Sequence, residues 1–190
     1  MATKKTSVAI KKTTKKTSAY SLKKHGETML KLSKQPPSAL LRLAVKDVKK
    51  VEKMKGVELD MGVFFTRKTS LRPCAVCMAG SVLLCDVKMP KTFKSADDDC
   101  VDFPSFDGLS KAEQYSKANG SVLEAIDAMR QANVSYALDL LDVPSNEFQN
   151  RAVDLANEII NQSFGEGPTQ SMATYESYEA AAKVLEAVGL

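Results

Sequence analysis

Four cysteines fall within 27 residues of one another, and two of them, Cys74 and Cys77, form a C-x-x-C just after Pro73. Thiolates at that spacing serve two chemistries. At the start of a helix the backbone dipole lowers a thiol pKa and makes a redox-active pair. With two further sulfurs they make a tetrahedral zinc site. The run from Cys74 to Val87 predicts a buried helix with Pro73 near its first position. The strand–helix alternation of a thioredoxin-type fold is missing, and no aromatic precedes Cys74. Cys85 and Cys100 stand fifteen residues apart, a loose second half for a zinc site. The same helix would line Cys74, Cys77, Met78, Ser81 and Cys85 along one stripe. Buried cysteine packs as a small apolar residue, so core packing is the first reading. Zinc on Cys74, Cys77, Cys85 and Cys100, or a redox pair, are the alternatives.

His25 is the only histidine and falls in a segment expected to be disordered. A Ser-His or Cys-His nucleophile needs an imidazole held by neighbours, so hydrolytic chemistry of that kind is not expected. Asp97, Asp98, Asp99, Asp102 and Asp107 gather acid in one stretch. Their spacing lacks the order of an EF-hand loop, and a solvated acidic loop is the reading. Gly165-Glu166-Gly167 lacks the following Lys and the strand-to-helix setting of a phosphate loop.

The charge that stands out is at the N-terminus. Residues 1–35 hold ten lysines against the single acid Glu27, a local charge of +9, while the other 155 residues sum to −5. The pairs Lys4-Lys5, Lys11-Lys12, Lys15-Lys16 and Lys23-Lys24 are separated by Thr, Ser and Ala. Mutual repulsion and few large apolar groups leave such a segment unable to offset its ordering entropy, so 1–35 is read as a disordered arm. Leu30 and Leu32 begin to dock near the body. Lysines on a tether neutralise phosphates and release counterions, giving non-specific, salt-sensitive contact with DNA or RNA. Lysine without arginine favours point-charge contact over base reading.

These residues need elements to position them. Pro36-Pro37 closes the arm, and Ser38 is the expected N-cap of a helix over 39–54. Its apolar face is Leu41, Ala44, Val45, Val48, Val51 and Met54, and its basic face Arg42, Lys46, Lys49, Lys50 and Lys53. Gly56 follows as a stop. Val57–Thr66 reads as a short strand or extended segment, and 88–110 as a long loop. Ser110–Lys117 is expected to be a short helix. The Ser121/Glu124 pattern matches a capping box opening a second helix to about Ala132. Further helices are expected over 134–141, from a Ser145 cap through Ile160, and over 174–188. Residues 165–168 form the last linker. The fold class is therefore mainly α: one helical domain, 36–190, with a minor short β-element, preceded by the basic arm 1–35.

Apolar residues make up 44% of the chain, enough for a core, and no stretch approaches the roughly 20 apolar residues a membrane span needs. The N-terminus has no apolar segment after its lysines, so no secretory signal is read. Few, clustered cysteines fit a reducing compartment.

The stretch Leu43–Val87, carrying AVKDVKKVEK, VELDM and CAVCMAGSV, resembles a group of small uncharacterised proteins of tailed bacteriophages. The segment Val122–Leu138 (VLEAIDAMRQANVSYAL) resembles their second shared stretch. The group's C-x-V-C-[LM]-A-G-[AS]-V core is matched; its Trp-His pair is replaced here by Val63-Phe64-Phe65. The resemblance implies an origin and a compartment, the cytoplasm of a bacterial host, and no reaction. It does not account for the basic arm. The expectation is a non-enzymatic phage accessory protein. Its helical body would bind a host or phage protein, while its arm contacts nucleic acid with no cofactor. A virion component is the alternative, beside the cysteine-based zinc or redox site.

Overall fold

A computed structural model describes residues 21–71, 73–87, 95–97 (backbone), 104–165 and 172–190. Seven α-helices and four short strands lie among them: α1 (Leu22–Leu32), α2 (Pro37–Val51), β1 (Val57–Leu59), β2 (Val63–Thr66), β3 (Cys74–Val76), α3 (Met78–Val82), β4 (Ser95–Asp97), α4 (Ala112–Arg130), α5 (Val134–Leu140), α6 (Glu147–Asn161) and α7 (Tyr175–Ala187). A single π turn over Leu83–Val87 continues α3. The mainly helical class with a minor β-element is what the structure shows.

Helix α2 is central. Leu40, Leu41, Ala44, Val45, Val48 and Val51 are buried on one face, the period that defined it in the sequence. It begins at Pro37, not Ala39. Pro36 is its N-cap and Ser38 lies buried inside the first turn, because proline at N1 loses no hydrogen bond and pre-sets the helical φ. It ends at Val51, and Gly56, at φ +81°, turns the chain into β1. α7 packs along α2, and α6 along α7. Tyr178 is fully buried at this junction; its hydroxyl accepts from the Ala173 N–H and donates to the Arg130 carbonyl, both at 3.3 Å.

The sheet runs β1-β3-β2-β4. β3 sits between β1, parallel to it, and β2, antiparallel. The segment 57–66 is thus two strands on either side of a third, turned at Asp60–Gly62, where Asp60 Oδ1 accepts from the Gly62 N–H at 2.9 Å.

Three further sequence expectations are corrected. The helix expected from Cys74 begins only at Met78, and Cys74–Val76 is strand. Three apolar residues carry no period that separates strand from helix, and pairing with β1 and β2 decides. The two helices expected over 110–132 are one, α4; Ser121 is interior, and the true N-cap is Lys111 in the left-handed region. Asn146, not Ser145, caps α6, in a capping box with Gln149.

Another correction concerns the arm. Its last part is helix α1, capped by the Ser21 side chain and buried at His25, Gly26 and Met29 against α4. The ordered body therefore begins before residue 36. Residues 1–20 lie outside the described residues.

Candidate nucleic-acid interface

The cysteine motif is a strand-to-helix junction. Cys74 and Val76 are inward on β3, with Val76 fully buried. Cys77 is the N-cap of α3: its thiol accepts from the Gly80 N–H at 3.4 Å and faces the Phe64 carbonyl oxygen at 3.9 Å. The Ser81 hydroxyl donates to the Cys77 carbonyl at 2.8 Å. A Cβ on Gly80 would meet the Phe64 carbonyl oxygen at 1.6 Å, so only glycine allows α3 to lie on β2. Cys77, Gly80 and Ser81 of C-A-V-C-M-A-G-S-V are accounted for by this packing.

The thiol chemistry follows from burial. The sequence suggested a helix terminus that lowers the pKa of the C-x-x-C pair. Burial instead pushes the Cys77 thiol up to about 12, against the partial help of the Gly80 N–H, and also raises Cys74 and Cys85. Losing solvation of the thiolate outweighs one backbone dipole in α3, a five-residue helix. Cys85 is half-buried on the π turn, its thiol facing the Asp47 carbonyl at 3.9 Å. Cys100 lies outside the described residues. No three acidic, histidine or cysteine groups converge as metal ligands among the described residues.

His25 is held, contrary to expectation. It is 1% exposed, its Nε2–H donates to Asn119 Oδ1 at 2.7 Å, and its ring lies 5.6 Å from that of Phe106. Tyr115 meets Phe106 edge-on at 5.9 Å. A Cβ on Gly26 would meet the Tyr115 ring at 2.4 Å. This cluster ties α1 to α4. Burial lowers the imidazole pKa below 6.5, partly offset by the Asn119 bond. Its burial and its bond to Asn119 anchor α1 on α4. Of the acidic stretch, Asp107 is an exposed turn residue accepting from the Ser105 hydroxyl, and Asp97 ends β4; Asp98, Asp99 and Asp102 lie outside the described residues, as do Glu166 and Gly167.

The lysines divide. Lys4, Lys5, Lys11, Lys12, Lys15 and Lys16 lie outside the described residues. Lys23 and Lys24 stand exposed on α1, Lys23 at 3.9 Å from Glu27. A second basic surface, read in the sequence as the basic face of a helix but given no function there, is the outer face of α2. Arg42, Lys46, Lys49, Lys50 and Lys53 line a shallow groove of about 390 Å³ with Glu179 of α7.

The five cations are not equivalent. Arg42 bonds Glu186 at 2.6 Å and Lys49 bonds Glu179 at 2.8 Å, and both glutamates are held below the usual carboxylate range by these partners. Lys49 also stands 5.0 Å over the Tyr175 ring, whose hydroxyl donates to Glu52. Lys50 bridges Asp47 at 2.5 Å and Asp86 at 3.6 Å. Asp47 is fully buried, its Oδ2 has no hydrogen-bond partner among the described residues, and burial raises its pKa despite Lys50. Lys46 and Lys53 are exposed and have no carboxylate within 4.0 Å among the described residues. They are the charges an anion would meet first.

No helix among the described residues is long and apolar enough to cross a membrane. No protein-family model matches the chain, and no curated protein or solved structure shows significant similarity to it.

Proposed function

We propose that this is a non-enzymatic accessory protein that contacts DNA or RNA non-specifically. Its N-terminal lysines and the basic face of α2 touch phosphate, while the rest of the helical body is free for a host or phage protein. The observation that carries the reading is the α2 face: five cations in one groove, two of them with no ion pair within 4.0 Å among the described residues. Phosphate contact needs point charges on an accessible surface and no base-reading fork, and Lys46 and Lys53 supply them on a rigid helix. The bacterial cytoplasm as the setting rests on the phage resemblance alone.

The test is binding of a fluorescent 20–30-base-pair duplex across a salt series. It compares the full chain, a chain starting at Ser21, and Lys46→Glu/Lys53→Glu. The full chain is expected to bind with a steep salt dependence, and both alterations to weaken it several-fold. Absence of binding by the full chain at low salt would overturn the proposal. Undiminished binding by the double variant would remove α2 from it.

A further inference from the structure

Helix α6 carries two apolar faces, and the fold uses one. Val153, Ala156 and Ile160 are buried inward. Beside them Phe148, Ala152, Leu155 and Ile159 recur at i, i+4, i+7 and i+11, a straight stripe on a helix. Phe148 is 69% exposed and Leu155 47%, while Ala152 and Ile159 are half-buried. Arg151 and Glu158 flank the stripe on its solvent side. Among the described residues Arg151 pairs only with Glu147 of its own helix, at 3.4 Å between exposed side chains, a contact worth little.

We infer that this stripe is a two-fold interface with a second copy of the chain, the two α6 helices packing antiparallel. The 4-3-4 spacing is the seam of helices crossing at a shallow angle. It is also self-complementary. Reversing the helix about a point between Val153 and Asp154 places Phe148 against the partner's Ile159 and Ala152 against the partner's Leu155. A two-fold interface requires such matching of a surface with itself. The same operation leaves Arg151 about 3 Å along the axis from the partner's Glu158, within a guanidinium's reach, twice, on the same flank of the seam. Large meets branched, small meets large, and positive meets negative. Phe148 is the anchor of the kind that dominates small interfaces. The surface is limited in extent, so the dimer is weak and concentration-dependent. It is independent of the nucleic-acid reading.

Sedimentation velocity on the full chain over a concentration series tests it. A monomer–dimer equilibrium in the micromolar range is expected, weakened at least tenfold by Leu155→Glu and several-fold by Arg151→Glu. The double exchange Arg151→Glu/Glu158→Arg should recover the loss of the single one. It leaves the Glu147 contact broken, so recovery can come only from across the seam. Unchanged far-ultraviolet circular dichroism confirms folding of these surface variants. A chain that stays monomeric to millimolar concentration overturns the inference and leaves the stripe to a different partner. A dimer indifferent to Leu155→Glu, or a double exchange no better than Arg151→Glu, overturns it too.

Discussion

The carbonyl oxygen of Phe64 stands 1.6 Å from where a Cβ on Gly80 would be, and the clash is with backbone, which cannot step aside as a side-chain tip can. Gly80→Ala is therefore expected to cost about 3 kcal/mol or more, since α3 must lift from β2 and open the core around Val76. Urea denaturation measures it. A variant that unfolds at the wild-type midpoint would mean that the junction is looser than its geometry.

His25 sets an acid limit. Its folded pKa lies below the unfolded value of 6.5. Between the two, the unfolded chain holds more protons, so stability is flat above pH 6.5 and falls as the pH drops through that window. His25→Gln should flatten this part of the profile and lower overall stability by about 1–3 kcal/mol through poorer packing against Phe106. Thermal melts of both proteins from pH 7.5 to pH 5 decide it; parallel curves would assign the acid sensitivity elsewhere.

Removing residues 1–20 and removing residues 1–35 should differ sharply. The longer deletion takes away the buried Met29 and the His25–Asn119 bond and bares Tyr115. The extra loss is expected to exceed about 4 kcal/mol. Comparative melting of the two truncations checks this, and equal stability would show that α1 is dispensable.

Native alkylation at pH 8 should label Cys85 well before Cys74 and Cys77. Cys77 is fully enclosed with its pKa raised to about 12, so almost no thiolate exists there. Peptide mapping after timed iodoacetamide treatment gives the order. Early labelling of Cys77 would revive a reactive-thiol role for the motif.

Much of the helical fold was legible because α2, α5, α6 and α7 bury apolar residues at helical period. α1 escaped since its inward face uses His25 and Gly26, which a hydropathy pattern scores as polar or neutral, between lysines that signal disorder. Gly120 and Ser121 imitated a helix start inside α4. A helix tolerates one interior glycine at about 1 kcal/mol, and packing of Val122, Leu123 and Ile126 against the core outweighs that. Cys74 and Cys77 were visible as a motif, but their junction role depends on Phe64, thirteen residues before Cys77 and joined to it only by the fold. The basic face of α2 was fully visible. What the sequence could not reveal is which of its charges are already answered by Glu179, Glu186, Asp47 and Asp86, acids distant in the chain except for Asp47.

That division sets how α2 responds to salt. On the proposed reading Arg42, Lys49 and Lys50, already paired with protein carboxylates, would release fewer ions to an arriving phosphate. Lys46 and Lys53, with no ion pair within 4.0 Å among the described residues, would each steepen the slope of log K against log salt by about 0.9. A face with five positive charges would then answer to salt more nearly as one with two.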